Sequence, residues 1–104
     1  MALIISDNNF EEVVLKSELP VMLDVYTEWC APCRAIAPFI EQLASEYDGK
    51  ANIGKLDAEK CPDVAAKYEI RNVPTFLFFK GGELVDKEIG ANKTSLTNKL
   101  KAML

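Results

Sequence analysis

The sequence predicts an α/β fold, a central mixed β-sheet of about five strands with about four helices on both faces. Three observations carry this expectation. Apolar residues recur with a period of two in some segments and about 3.6 in others, and the two periods alternate along the chain. Between Val21 and Asp57 an apolar run, a long amphipathic stretch and a second apolar run have the order of a βαβ unit, whose strands are parallel. Further on, two strand-like runs are separated by a glycine pair, the mark of an antiparallel hairpin.

Taken in order, Leu3-Ile4-Ile5 reads as a short strand, and Asp7 or Asn8 can cap a helix on which Phe10, Val13 and Val14 share one face. Val21 to Tyr26 is a second strand, apolar on both faces around Asp24, as the middle of a doubly covered sheet requires. From Pro32 to Tyr47, the residues Ile36, Phe39, Ile40, Leu43, Ala44 and Tyr47 keep helical spacing. Pro38 lies inside this helix, where it removes a backbone donor and should bend the axis. Asp48-Gly49-Lys50 ends it, and Ala51 to Asp57 form a third strand. Pro62 suits the first turn of a short helix running to Tyr68. Thr75 to Phe79 and Glu83 to Ile89 pair across Lys80-Gly81-Gly82, and a last helix from Thr94 carries Leu96, Leu100 and Met103 on one side.

Residues 1–104 are read as one domain, since 49% apolar residues supply a core without structural metals or disulfides. A formal net charge of −4 leaves no basic face for a phosphate backbone or anionic lipid, so neither nucleic acid nor a membrane is an expected partner. No run approaches the roughly 18–20 apolar residues of a membrane span. The first residues lack both the basic region and the apolar length of a signal peptide, so a cytoplasmic monomer is expected. Three cysteines is an odd count, which argues against a secreted disulfide scaffold and for reactive use of two of them.

Trp29-Cys30-Ala31-Pro32-Cys33 stands at the junction of the second strand and the long helix, at the strand ends where sites gather in open α/β sheets. Helical residues three apart have Cβ atoms about 5–6 Å apart, and disulfides favour Cα separations of about 4.4–6.8 Å. Cys30 and Cys33 can therefore bond and reopen with little backbone movement. At a helix N-terminus, unpaired amides and the helix dipole favour the Cys30 thiolate. That tuning is modest in effect, because a lower pKa also lowers nucleophilicity. Proximity contributes more: Cys33 attacks a mixed disulfide on Cys30 intramolecularly, and Pro32 presets the first helical turn. Structural zinc would need about four N or S ligands, yet there is no histidine and only Cys61 beyond the pair. A static structural disulfide at this spacing closes too small a loop to stabilise much. No metal and no cofactor are expected beyond the intrinsic redox-active disulfide.

This motif occurs with Asp24 in the second strand, Pro38 in the long helix, Lys55 in the third strand, Val73-Pro74-Thr75, Gly81-Gly82 and Gly90-Ala91. Together they resemble the thioredoxin family from end to end. The resemblance implies the thioredoxin fold and protein disulfide reduction. It also implies that Cys30 is the exposed nucleophile and Cys33 the buried resolving thiol. Asp24 is then the buried carboxylate that exchanges a proton with Cys33, with Lys55 nearby, and these four form the expected catalytic set. Among Met22, Leu23, Val25 and Tyr26, an unpartnered Asp24 should have a raised pKa suited to a general base. A solvent-facing strand residue is the alternative.

The expected substrate-binding set is Trp29, Ala31, Pro32, Val73, Pro74, Gly90 and Ala91, with the Val73–Pro74 bond cis by resemblance. A trans proline opening a strand and a partly buried core tryptophan are the alternatives. The implied partners are a flavin-containing, NADPH-dependent thioredoxin reductase and clients such as ribonucleotide reductase, thiol peroxidases and methionine sulfoxide reductases. Ala31 departs from the glycine most typical of the motif, and Tyr26 stands where many relatives carry a second tryptophan. Cys61 has no motif role and is read as a packed or capping residue, with regulatory oxidation as the alternative. Two other functions stay open: a non-catalytic binding module or subunit using the same surface, and oxidative folding, which the missing export signal and the absence of histidine between the cysteines disfavour.

Overall fold

Side-chain alternation on one strand sets the architecture. In the computed structural model, which describes residues 1–104, β2 (Val21–Tyr26) is the middle strand of a five-stranded sheet ordered β1-β3-β2-β4-β5. It pairs in parallel with β3 (Asn52–Asp57) and antiparallel with β4 (Thr75–Lys80). The outer strands are β1 (Leu3–Ile4), parallel to β3, and β5 (Glu83–Ile89), antiparallel to β4.

Successive residues of a strand point to opposite faces. Met22 therefore joins Ile53, Phe76 and Phe78 on one face, under Ile36, Ile40 and Leu43 of α1 (Ala31–Glu46) and Leu96 and Leu100 of α3 (Lys93–Ala102). Val21, Leu23 and Val25 join Leu56, Leu77 and Phe79 on the other. That face is covered by Phe10, Val14 of the helical segment Glu11–Leu15, and Val64 of α2 (Pro62–Lys67). Asp24 shares the parity of Met22, which puts it beneath α1. The predicted mixed sheet with helices on both faces is the observed one. No helix is long and apolar enough to cross a membrane.

The hairpin needs its glycines for two reasons. Lys80 pairs with Glu83, so Gly81 and Gly82 alone make the turn, with φ of 61° and 80°. Two left-handed residues in succession define the type I′ geometry that matches strand twist. A Cβ on Gly82 would also stand 2.7 Å from the Leu15 carbonyl oxygen. α1 runs unbroken through Pro38.

The N-terminal helix departs from expectation. Glu11–Leu15 winds as a π-helix, with Lys16 N–H donating to the Glu11 carbonyl at 2.9 Å, and no side chain caps its start. Neither Asp7 nor Asn8 is its cap. Asp7 instead caps α2: its Oδ2 and Oδ1 accept from the main-chain N–H groups of Asp63 and Val64 at 3.1 and 3.0 Å. The first amides of a helix have no partner within it, and Cys61, at the cap position of α2, offers no side-chain bond. Tertiary packing brings Asp7 to that vacancy, while Asn9 turns back to bond Ser6 N–H and the Ile4 carbonyl at 2.7 and 3.0 Å. Ile5, expected within the first strand, follows it and donates to the Lys55 carbonyl at 2.9 Å.

Replacing Asp7 by alanine should therefore cost about 1 kcal/mol and accelerate hydrogen exchange at the Asp63 and Val64 amides. Urea melts and exchange measurements would check this. Unchanged exchange at those two amides would show that the cap contributes nothing.

Candidate active site

Cys30 occupies the cap position of α1 in extended conformation, and its Sγ accepts the Cys33 main-chain N–H at 3.1 Å. Cys30 Sγ thus already receives one of the free amides at the helix start. Cys30 and Cys33 are joined as a disulfide with a Cα separation of 5.2 Å, inside the range that a three-residue helical spacing offers. One expectation needs correction. In the disulfide Cys30 is only 9% exposed against 4% for Cys33, so it is not an openly exposed side chain.

Around the pair, Trp29 is 80% exposed, which excludes a core position. Ala31 and Pro32 are exposed, and Pro32 shares a shallow groove with Ala91. The Val73–Pro74 bond is cis, and the Pro74 carbonyl accepts from Gly90 N–H at 2.9 Å. Val73 itself takes no part in the main-chain hydrogen bonding of the fold. Three segments far apart in sequence thereby meet, Val73-Pro74 bonded to Gly90 and Ala91 sharing a groove with Pro32.

Asp24 is 4% exposed, and its Oδ1 has no hydrogen-bond partner. Burial pushes its pKa from 3.8 up to about 7, with the Lys55 charge pulling in the opposite direction. Asp24, Cys33 and Lys55 line one cavity of about 260 Å³. Asp24 and the second cysteine of the pair therefore border the same small space. Lys55 does not pair with Asp24. Its ammonium lies 3.7 Å from Glu41 Oε2, and Glu41 Oε1 accepts from Ala2 N–H at 2.7 Å.

Sequence reading missed the other walls of this cavity, among them Glu28, Arg34 and Ala37. Arg34 Nη1 donates to the Glu28 carbonyl at 2.6 Å. A signal was present: Cys33, Ala37 and Glu41 recur every four residues and so fall along one side of α1. Cys61 is unbonded and buried in the α2-side core, where burial raises its thiol pKa. No group of three or more metal-ligating side chains is arranged to hold an ion.

Residues 1–102 match the thioredoxin family model. The chain belongs to the thioredoxin family. It is 51% identical over 86 residues to thioredoxin C-2 of Corynebacterium nephridii, covering 83% of this chain and 80% of that protein. It is 44% identical over 101 residues to a thioredoxin of Synechocystis sp., covering 96% and 94%. It is 46% identical over 101 residues to a chloroplastic M-type thioredoxin of Spinacia oleracea, covering 96% of this chain and 56% of that one. The family and the Cys30–Cys33 pair at bonding distance make this thioredoxin-family protein a thiol–disulfide oxidoreductase working by thiol–disulfide exchange.

In this family member the buried carboxyl has a measurable cost. Moving a carboxyl from 3.8 to about 7 disfavours its charged form by about 4 kcal/mol. Since the folded pKa lies above the unfolded one, the protonated acid carries no penalty below pH 3.8, the penalty grows as pH rises, and it is complete above about 7. Asp24→Asn should therefore be more stable than the parent by up to about 4 kcal/mol above neutral pH, with the difference vanishing in acid. Urea melts of the oxidised proteins across pH would check this. A difference that stays constant with pH would mean that Asp24 is not titrating in a desolvated site.

Proposed function

We propose that this protein is a protein disulfide reductase, passing two electrons from reduced Cys30 and Cys33 to client disulfides and acting as an electron carrier re-reduced by a flavin-containing, NADPH-dependent thioredoxin reductase. One observation carries the reading. Cys33 and a buried carboxyl with an unpartnered oxygen border one cavity, while Cys30 Sγ accepts a main-chain N–H at the start of the helix.

The Cys30 thiolate attacks one sulfur of a client disulfide, forms the mixed disulfide and expels the first client thiolate. Cys33 then gives its proton to the Asp24 carboxylate, and its thiolate attacks Cys30 Sγ. The mixed disulfide breaks, the second client thiolate leaves, and the Cys30–Cys33 disulfide remains. Two electrons have moved from the pair to the client. They never leave sulfur, so the chemistry calls for no bound cofactor. Asp24 has the raised pKa that a proton acceptor near neutral pH requires, and Lys55 lines the same cavity as a nearby charge.

Trp29, Ala31, Pro32, Val73, Pro74, Gly90 and Ala91 form the client-binding surface in this reading. The unused main-chain groups of Val73 support it, because an extended client backbone can bond to them. The clients proposed for it are of the kind that the family reduces, such as ribonucleotide reductase, thiol peroxidases and methionine sulfoxide reductases. We read residues 1–104 as one domain acting as a monomer in a reducing compartment such as the cytoplasm, where the dithiol can be regenerated.

With thioredoxin reductase and NADPH, the protein should reduce insulin disulfides, and replacing both Cys30 and Cys33 by serine should abolish turnover. Cys33→Ser alone should trap a mixed disulfide on Cys30, whereas Cys30→Ser should trap nothing, as mass spectrometry of client mixtures would reveal. Equal trapping by the two variants would sink the division of labour. Cys61→Ser should leave turnover nearly unchanged in the same assay, and loss of most activity in a folded variant would give that thiol a role.

A further inference from the structure

Asp24 and Lys55 are register partners on β2 and β3, and both line the cavity that contains Cys33. An ammonium beside a carboxyl with a free oxygen would ordinarily pair with it. Here Lys55 is engaged 3.7 Å away by Glu41 of α1, and Asp24 Oδ1 is left without a partner. Glu41 is held in place, because its second oxygen accepts the buried Ala2 main-chain N–H at 2.7 Å. It also lies two turns beyond Cys33 on the same side of α1.

We propose that Glu41 is a positioning residue for disulfide exchange, engaging the Lys55 ammonium so that it does not pair directly with Asp24 and the carboxyl stays available to the Cys33 proton. The inference rests on Asp24 being the proton acceptor. An opposite charge within about 4–6 Å stabilises a carboxylate and makes it a weaker base. The other ionisable groups on this side are Tyr26 and Glu28 at the end of β2 and beyond, Asp57 two residues along β3 from Lys55, and Arg34 on α1, while Cys33 is held in the disulfide. β4 contributes the non-titrating Thr75 and Phe76 beside it. Arg34 is exposed and donates to the Glu28 carbonyl, and Lys55 is the cation whose charge acts on Asp24.

Glu41→Gln removes the charge and keeps an acceptor for Ala2 N–H. In this variant the Asp24 titration, followed by carboxyl carbon NMR of the oxidised protein, should fall by about one pH unit from its value near 7. The pH profile of the resolving step, measured by single-turnover stopped flow, should move with it, and its plateau should drop about threefold. Glu41→Asp should recover part of both effects. In a Lys55→Met background Glu41→Gln should produce less than half of the same shift, because the intermediary is gone.

An unmoved Asp24 titration in Glu41→Gln, or an equal shift with and without Lys55, overturns this role for Glu41 while leaving the proton acceptor in place. An Asp24→Asn variant that resolves at the parental rate overturns the acceptor itself, and the role of Glu41 with it.

Discussion

Burial of one carboxyl beneath α1 is the constraint on which the rest of the site depends. Asp24 sits in the central strand, on the face that packs under α1, and its Oδ1 finds no hydrogen-bond donor. Such a group opposes folding whenever it is charged. It persists because β2 is covered from both sides by clusters of 12 and 11 buried residues, whose apolar burial far outweighs one desolvated carboxyl. The same burial that costs stability brings the proton affinity of Asp24 into the neutral range, as the proposed proton acceptor requires. Stability and reactivity are thus opposed at a single side chain.

The sulfur pair obeys a second constraint, set by the helix it begins. A cap position, a two-residue step and a buried first-turn position place two sulfurs within bonding reach, with no demand on the rest of the fold. Pro32 and Ala31 fill the step without adding a polar group. Because Cys30 Sγ already accepts the Cys33 amide in the disulfide, opening the bond leaves a developing thiolate beside a donor that is in place. Little reorganisation accompanies the charge that appears on Cys30.

Electrostatics around the cavity are arranged by division. Lys55 is the cation whose charge acts on Asp24, and its ammonium is engaged by Glu41, while Arg34 on the same cavity wall donates to the Glu28 carbonyl. A carboxyl with a cation bonded directly to it would be a weak base, and one with no cation nearby would hold its proton too tightly at neutral pH. The intermediate arrangement keeps Lys55 close enough to moderate Asp24 and not close enough to neutralise it.

By itself the sequence determined the order of strands and helices, the Gly81-Gly82 turn, the helix-start pair Cys30 and Cys33, and the burial of Asp24. Each is written locally: a period of two or 3.6, a residue type suited to positive φ, a three-residue spacing, an acidic residue in an apolar run. Similarity to a known family supplied the cis Val73–Pro74 bond, which no local rule marks. Tertiary structure alone decided that Asp7 caps α2, 56 residues away, and that Glu41 rather than Asp24 receives Lys55. It also decided that Pro74 meets Gly90. These are contacts between elements whose separation along the chain carries no period, and they exist only once the two core clusters have fixed how the helices lie on the sheet.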